Sequence, residues 1–460
     1  MYKKIYFIGI GGIGMSALAR YFKAKGCEVC GYDRTETVLT KALCSEGIAV
    51  HYVDDIEVIP TAYKTSKDDV LVIYTPAVPA SHSELQWFRN MDYRMMKRSE
   101  ALGMISKSKE TIAVAGTHGK TSVSSMTAHL LTAAGIGCDA FLGGISKNYK
   151  SNLLLSDGSR YIVAEADEYD RSFLRLHPHI AVITSVDADH LDIYGSHEAM
   201  TVAFGQFASQ ITPDGVLLIK HGLTLATPNS VKRFTYSLDN READFHAENI
   251  RMDGDRYLFD LKMPHETIRN VHSRAPGLLN VENGVAAMAV AILAGGVVKN
   301  VANAMASFEG IFRRFDFRIR TDEIVYIDDY AHHPEELRFA IESLRQLYPG
   351  RHITGIFQPH LFTRTRDFAE EFAQSLNRLD ALILLDIYPA REEPIEDVTS
   401  KIIFDKITIS DKYLCSKSNV LNVLNNRKID VLVSLGAGDI DTLVEPIEKM
   451  LKKYFRNIKK

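Results

Sequence analysis

The chain has 460 residues, which is too long for a single hydrophobic core, so we expect two to four domains. Its hydrophobic share of 46% is ordinary for a soluble globular protein, and 54 basic against 58 acidic residues give a net charge of -4. This balance does not suggest a basic surface that would bind nucleic acid or an acidic membrane. The sequence shows neither a bilayer-spanning apolar run nor a secretory leader, so we expect a cytoplasmic protein without nucleic-acid or membrane partners.

A glycine turn at residues 9–14 joins a predicted strand at 5–10 to a helix that opens with Met15, Ser16 and Ala17. A second predicted strand, 28–32, ends at Asp33, at the spacing of a dinucleotide-binding fingerprint. Such glycines let the backbone approach a pyrophosphate, and the acid can accept hydrogen bonds from ribose hydroxyls. A nicotinamide dinucleotide and UDP both satisfy this pattern, and a glycine turn without any ligand remains a third interpretation.

The first domain is predicted to end between residues 107 and 108. Before that point a strand at 70–74 ends at Thr75, at the edge where ligands collect in an open parallel sheet. The segment 98–108 has helical character and then becomes polar. The lone Cys27 and Cys30 pair lies in the predicted second strand, and buried thiols are favoured there over a metal or redox role.

A second glycine turn, at residues 115–119, lies between a predicted strand at 111–114 and a helix that runs to about Gly135. Its backbone N–H groups favour phosphate, Lys120 adds a charge for the outer phosphates, and the Thr121 hydroxyl suits Mg²⁺. The full P-loop pattern wants glycine where this chain has Val114, so the loop is a variant. The alternative is a glycine turn followed by a solvated lysine.

Two further strands of the central region end in acidic segments. Residues 161–164 run into Glu165, whose carboxylate can hold Mg²⁺ beside a phosphate loop or can be an ordinary surface acid. Residues 180–186 run into a segment that contains His190 flanked by aspartates, a better ligand candidate than an isolated histidine. Residues 213–274 predict short strands and turns.

Asn280 lies at the start of a predicted helix, 281–294, where helix capping is the favoured role. Arg313 and Arg314 can clamp a phosphate or lie in solvent. We place the second domain boundary between residues 314 and 315. The domains are thus predicted as 1–107, 108–314 and 315–460.

The third domain repeats a strand-then-helix pattern with polar segments after its predicted strands. Because the carboxyl ends of parallel strands share one edge of a sheet, these segments predict a common site. The strands and the polar segments after them are 324–327 followed by 328–334, 352–357 followed by 358–360, 381–385 followed by Asp386, and 431–435 followed by 436–439.

These motifs together resemble the Mur ligases over nearly the whole chain. The resemblance rests on the order and spacing of the segments 9–15, 115–121, 165–168, 188–192, 313–315, 328–334 and 357–360. It implies an α/β protein with a Rossmann-like N-terminal domain, a central P-loop ATPase-like domain with a mostly parallel sheet, and a Rossmann-like C-terminal domain. The first domain of this family binds a UDP-sugar without using NAD.

The resemblance implies an ATP-dependent carboxylate–amine ligase that serves peptidoglycan precursor synthesis. In the branch that this chain resembles, L-alanine is joined to the lactyl carboxylate of UDP-N-acetylmuramate through an acyl phosphate. ATP and Mg²⁺ are the implied cofactors, and the domains are expected to close before chemistry.

The resemblance also implies roles for individual residues. Lys120 should hold the outer phosphates, with Thr121, Glu165 and His190 as magnesium ligands. The implied ATP contacts are Gly116, Thr117, His118, Gly119, Lys120, Thr121, Ser122, Asn280, Arg314, Asp328 and Asp329. The implied UDP-sugar contacts are Gly11, Gly12, Gly14, Met15, Ser16, Asp33 and Thr75. Tyr330, His332, Arg364 and Arg366 should serve L-alanine or the reacting phosphate, and Lys120, His332, Arg364 and Arg366 are the catalytic candidates.

Two features separate this chain from parts of the family. Leu279 stands where the family often has histidine before the adenine-contacting Asn280, and residues 195–210 lack the lysine that sister ligases carbamoylate. The alternatives are a recycling ligase that adds a tripeptide to the same sugar nucleotide, an NAD-dependent oxidoreductase and a non-catalytic nucleotide-binding module. The protein is expected to be a monomer or a homodimer.

Overall fold

The structure, a computed structural model, describes residues 2–188, 191–253, 256–390 and 392–458. Within these residues it has an α/β architecture built on three mostly parallel sheets, which confirms the predicted fold class. No helix in the described ranges has the length and apolar character that crossing a bilayer requires.

The first sheet is wholly parallel and has the strand order β3-β2-β1-β4-β5. The chain adds β2 and β3 on one side of β1 and then crosses over to add β4 and β5 on the other side. Such a change in the order of the strands creates the crevice where open α/β sheets bind ligands. Its strands are β1 (Lys4–Ile8), β2 (Glu28–Tyr32), β3 (Ala49–His51), β4 (Val70–Tyr74) and β5 (Arg94–Lys97). Its helices are α1 (Ile13–Ala24), α2 (Val38–Ser45), α3 (Thr61–Lys64), α4 (Ser83–Asn90) and α5 (Arg98–Ser106), with 3-10 turns at Ile56–Val58 and Lys67–Asp69.

The central sheet has the order β15-β14-β13-β12-β11-β10-β6-β9-β7-β8. It is parallel from β13 to β7, and antiparallel pairs lie at both ends. Its strands are β6 (Glu110–Ala115), β7 (Asp139–Ser146), β8 (Ser151–Leu154), β9 (Tyr161–Glu165), β10 (Ile180–Ile183), β11 (Val216–Lys220), β12 (Lys232–Ser237), β13 (Phe245–Asp253), β14 (Arg256–Lys262) and β15 (Thr267–Ser273). Its helices are α6 (Lys120–Ala133), α7 (Leu191–Tyr194), α8 (His197–Ser209), α9 (Leu278–Leu293) and α10 (Val298–Met305), with a 3-10 segment at Tyr169–Arg175.

The third sheet has the order β16-β17-β21-β18-β19-β20, and only its pair β16–β17 is antiparallel within the described residues. Its strands are β16 (Asp316–Arg320), β17 (Val325–Asp329), β18 (Ile353–Phe357), β19 (Ala381–Leu385), β20 (Asp411–Cys415) and β21 (Val431–Leu435). Its helices are α11 (Pro334–Leu347), α12 (Phe362–Asp367), α13 (Ala369–Leu376), α14 (Lys401–Phe404), α15 (Val420–Asn425) and α16 (Val444–Ile458), with 3-10 turns at Lys417–Asn419 and Asp439–Leu443.

The chain forms two compact units: Met1–Ala275 with Val281–Glu309, and Pro276–Asn280 with Gly310–Lys460. In the first unit, one apolar core runs from the first sheet through Phe7 and Leu18 into the central sheet through Ala113 and Phe141. In the second unit, separate cores cover the two faces of the third sheet. The boundaries at 107/108 and 314/315 stay predictions.

Candidate active site

The second glycine turn has the backbone shape of a phosphate loop. Gly116 and Gly119 have φ values of 139° and 83°, in the region that favours glycine, and α6 begins at the next residue, Lys120. A Cβ on Gly116 would lie 2.0 Å from the Thr184 hydroxyl. The turn therefore presents backbone N–H groups at the start of α6, as the sequence predicted.

Two hydroxyl residues after β10 clamp this loop. Thr184 Oγ1 donates to the Ala115 carbonyl at 3.1 Å and also to the His118 carbonyl. Ser185 Oγ accepts from the His118 N–H at 2.8 Å and lies 2.8 Å from Thr117 Oγ1. The prediction that this strand extends to residue 186 was wrong, because the chain leaves the sheet at Ile183 to make these contacts.

Lys120 is held by an acid that sequence reasoning did not assign. Its Nζ donates to the Gly116 carbonyl at 2.6 Å and to Glu168 Oε1 at 2.7 Å. Burial lowers the pKa of Lys120, but Glu168, Glu165 and Asp167 outweigh burial and the net shift is upward. Burial raises the pKa of Glu168 to about 7, against the opposing effect of Lys120. Lys120 is therefore a cation at neutral pH, at the place where phosphate is expected.

Thr121 and Glu165, two of the predicted metal ligands, are hydrogen-bonded to each other, with Thr121 Oγ1 2.9 Å from Glu165 Oε2. The Glu165 carboxylate also lies against Gly143 in β7, where a Cβ would be 2.0 Å from Oε2. The third predicted ligand, His190, lies outside the described residues. Within those residues, no cluster of three His, Cys, Asp or Glu side chains is arranged to hold a metal.

In the first turn, Asp33 interacts with the glycine backbone. The Gly11 N–H donates to Asp33 Oδ2 at 2.7 Å, and the Thr35 N–H donates to Oδ1 at 3.2 Å. Each carboxylate oxygen keeps a second lone pair for a ribose hydroxyl. The predicted strand at 5–10 ends at Ile8 because Gly9 turns the chain, with φ of 87°.

Other predicted UDP-sugar contacts are partly engaged within the protein. Met15 and Ser16 are buried, and the Ser16 hydroxyl donates to the Ile13 carbonyl at 2.9 Å and accepts from Asn152 Nδ2 at 3.0 Å. The Thr75 side chain packs beside Gly9, where a Cβ would lie 2.4 Å from its methyl group. Gly12 and Gly14 lie at the start of α1, so the backbone of this turn is the part best placed to meet a ligand.

In the second unit, both predicted ATP-contacting aspartates support a loop with strained backbone. Asp328 accepts from Ser434 Oγ at 2.7 Å and lies 3.3 Å from Arg313 Nε, while Asp329 accepts from the N–H groups of Phe315 and Ala331. Arg313 and Phe315 have φ values of 62° and 46°. Burial raises the pKa of Asp329 to about 6, against the opposing effects of Arg314 and these N–H groups. Both aspartates thus position the segment that carries Arg314.

Tyr330 and His332 begin a row of rings at the carboxyl edge of the third sheet. The ring centroids of Tyr330 and His332 are 5.3 Å apart, and His332 lies 5.9 Å from His360, which lies 5.7 Å from Tyr388. The guanidinium of Arg314 lies 5.0 Å from the Tyr330 ring. Of the polar segments predicted to share this edge, 328–334 and 358–360 therefore meet through His332 and His360, and Arg314 lies beside Tyr330.

His332 is held neutral. Its Nδ1 lies 3.0 Å from the Tyr330 carbonyl and 3.2 Å from Glu336 Oε2, which assigns the proton to Nδ1 and leaves Nε2 as the acceptor. Burial lowers the pKa of His332 to about 4, and Arg364 acts in the same direction against Glu336.

The remaining candidates have different surroundings. Arg364 is buried, whereas Arg366 is half-exposed and pairs with Asp367 at 2.7 Å. Asn280 Nδ2 donates to the Pro276 carbonyl at 2.6 Å in the first turn of α9.

Relatives align with this chain over nearly its whole length. A UDP-N-acetylmuramate–L-alanine ligase from Parabacteroides distasonis is 56% identical over 98% of both chains. One of the same name from Phocaeicola vulgatus is 52% identical over the same shares. The chain belongs to the Mur ligase family.

Family models match the three regions of this Mur ligase. The "Mur ligase family, catalytic domain" covers residues 4–110, the "Mur ligase middle domain" covers 114–291, and the "Mur ligase, glutamate ligase domain" covers 313–438. A solved UDP-N-acetylmuramate-alanine ligase from Thermotoga maritima superposes with a TM-score of 0.81 at 26% identity, covering 99% of each chain. A murein peptide ligase from Psychrobacter arcticus has a TM-score of 0.72 at 22% identity, covering 98% of each chain, which shows the fold alone.

Proposed function

We propose that this Mur ligase joins L-alanine to the lactyl carboxylate of UDP-N-acetylmuramate at the expense of ATP. The observation that carries the proposal is the full-length likeness, above 50% identity, to enzymes of that name. The phosphate loop with its buried cation, Lys120, supports the ATP dependence. The tripeptide-adding, NAD-dependent and non-catalytic alternatives are not favoured by these relatives. We place the enzyme in the cytoplasm, where ATP is available.

In the proposed reaction, the lactyl carboxylate attacks the γ-phosphate of ATP, the bond to the β,γ-bridging oxygen breaks, ADP leaves, and an acyl phosphate forms. The amine of L-alanine then attacks the acyl carbon, and phosphate leaves. The first step brings anions together, so positive charge held in place lowers its barrier. Lys120 supplies such a charge at the start of α6. Arg314, Arg364 and Arg366 remain predicted contributors of positive charge, whereas Asn280, Asp328 and Asp329 remain predicted contacts to ATP.

We propose Mg²⁺ as the metal, with Thr121 and Glu165 as ligands. A hydroxyl and a carboxylate already 2.9 Å apart are hard oxygen donors beside a phosphate loop, and Mg²⁺ usually takes few protein ligands together with phosphate and water. When bound, the ion would neutralise phosphate charge.

The proton acceptor for the amine is proposed to be His332. Its Nε2 is an acceptor at neutral pH, although a pKa near 4 makes it a weak base. An unchanged kcat in a His332→Ala variant would contradict the proposal that His332 accepts this proton.

The function is tested by phosphate release with ATP, UDP-N-acetylmuramate and L-alanine, omitting each substrate in turn. We expect release only when all three are present, and loss of at least about 100-fold in kcat for Lys120→Ala. Substituting the L-alanyl tripeptide as acceptor distinguishes the recycling ligase, and turnover with the tripeptide but not with L-alanine would overturn the proposal.

A further inference from the structure

Arg98 lies against the first glycine turn, although no motif in the sequence draws attention to it. It is the first residue of α5 and follows β5, so it lies at the carboxyl edge of the first sheet. A Cβ built on Gly14 would be 3.1 Å from both Cδ and Nη1 of Arg98. The guanidinium therefore covers the start of α1, beside the backbone that is proposed to meet the diphosphate.

The same guanidinium pairs with an acid of the central sheet. Arg98 Nη2 donates to Asp167 Oδ2 at 2.9 Å, and the two side chains are 22% and 37% exposed. Asp167 follows β9 and lies between the metal candidate Glu165 and Glu168, the partner of Lys120. A pair that water reaches to this extent is weak and can be exchanged for a stronger partner.

The loop that carries Asp167 is held in a strained conformation. Asp170 and Arg171 have φ values of 52° and 53°, which non-glycine residues rarely adopt. Lys97 Nζ lies 3.6 Å from Asp170, and the Tyr194 hydroxyl donates to the Glu168 carbonyl at 2.7 Å. The partners of this loop thus fix Asp167 where Arg98 meets it.

We propose that Arg98 is a binding residue for the diphosphate of the sugar nucleotide, and that Asp167 holds it in place until the ligand arrives. This inference rests on the proposed function, since it takes UDP-N-acetylmuramate as the ligand of the first turn. A guanidinium binds phosphate oxygens through two parallel N–H bonds, and a diphosphate offers more negative charge than a single carboxylate. The ligand therefore competes with Asp167 for Arg98.

The test measures binding by titration calorimetry to the full chain, using UDP-N-acetylmuramate, UDP and uridine. We expect Arg98→Ala to weaken UDP and UDP-N-acetylmuramate by about 10- to 100-fold, the range for charge-assisted hydrogen bonds. Arg98→Lys should recover part of that loss. Uridine, which lacks phosphate, should bind the Arg98→Ala variant and the unsubstituted protein with equal affinity.

Two matched variants separate binding from architecture. Asp167→Asn keeps the oxygen that accepts from the Tyr169 N–H at 3.1 Å but removes the competing charge, so UDP should bind about two- to five-fold tighter. Lys97→Ala removes the neighbouring ion pair between the same two segments and should leave UDP affinity unchanged.

A folded Arg98→Ala protein that binds UDP as well as the unsubstituted protein would overturn the inference. So would equal weakening of UDP by Arg98→Ala and Asp167→Asn, because that result means the pair is only structural. If the unsubstituted chain binds neither UDP nor UDP-N-acetylmuramate, the proposed function has failed instead.

Discussion

Lys120 and Glu168 form an ion pair with little access to water, their side chains being 14% and 1% exposed. A buried pair is costly to break from one side, because the remaining charge keeps its desolvation penalty without its partner. The pair also fixes the position of the Lys120 ammonium in the absence of a ligand, because Nζ donates to both the Gly116 carbonyl and Glu168.

At a pH well above 7, where Glu168 is ionised, we expect Glu168→Gln to lower the free energy of unfolding by about 3 kcal/mol, because the Lys120 charge loses its counter-charge. Urea denaturation measures this loss. The matched control is a double-mutant cycle that adds Lys120→Met. The double variant should lose less free energy of unfolding than the sum of the losses in the two single variants. Additive losses would mean that the two charges do not interact.

The pKa of His332 makes stability depend on pH in a defined direction. The pKa of His332 in the folded chain, about 4, lies below the ordinary value of 6.5. Between these two pH values His332 binds a proton in the unfolded chain but not in the folded chain. The stabilisation is thus complete above pH 6.5 and falls as the pH drops toward 4.

Between pH 7 and pH 4.5 we expect the unsubstituted protein to lose about 2 kcal/mol more stability than His332→Gln, allowing for the 20% of the ring side chain that water reaches. Guanidinium unfolding at the two pH values gives the difference. Parallel losses in both proteins would show that His332 is not held neutral.

At the level of single residues, the sequence offered candidates for chemistry but not the contacts that hold them in place. Lys120, Thr121 and Glu165 could be proposed because each follows a local pattern of glycine turn or strand end. Glu168, Asn152 and Arg98 could not, because their contacts join segments between 48 and 139 residues apart. Such partners depend on how the sheets pack, which no local pattern records.

Among the elements, the strands were the most predictable part. Segments 28–32, 70–74, 381–385 and 431–435 became strands with the same bounds. The last three are mostly apolar and almost wholly buried, as a strand covered on both faces requires. Two strands were predicted too long, at Gly9 and at Thr184, where the chain leaves the sheet. Asp328 and Asp329, predicted to follow a strand at 324–327, are the last two residues of β17.

Strand β7 carries Gly143, which makes room for Glu165. In Gly143→Ala the new Cβ would collide with the flexible end of Glu165 rather than with backbone, so the fold should persist while the carboxylate moves away from Thr121. We expect the rate of phosphate release to fall by about 10- to 100-fold, the usual cost of displacing a residue at a metal site. Steady-state kinetics over a range of MgCl₂ concentrations checks this.

The control for that variant is Gly158→Ala, at a glycine with φ of 71° and no atom within 4 Å of the added Cβ. It should cost about 1 kcal/mol of stability and leave the rate unchanged. Activity of Gly143→Ala equal to that of this control would exclude a role for the Glu165 position.

On the scale of the whole molecule, the two compact units differ in how their cores are shared. The core of the first sheet continues into the central sheet, with the Tyr21 and Phe141 rings 5.4 Å apart and Asn152 Nδ2 donating to the Ile13 carbonyl. The third sheet has its own core on each face. A chain segment folds alone only when it buries its own apolar surface.

We therefore expect residues 310–460, expressed alone, to unfold cooperatively on heating, as followed by circular dichroism. Residues 1–107, cut from the central sheet, should expose the face that includes Phe7 and Leu18 and should bind a hydrophobic dye. If residues 1–107 unfold cooperatively on heating and do not bind the dye, their core does not need the central sheet.

The hydroxyl clamp of Thr184 and Ser185 on the phosphate loop has a consequence for how the protein responds to ionic strength. The hydrogen bonds of this clamp join uncharged groups, and dissolved ions screen charges without weakening such bonds in the same way. Added salt should therefore slow the arrival of an anionic nucleotide while leaving the shape of the loop that receives it unchanged.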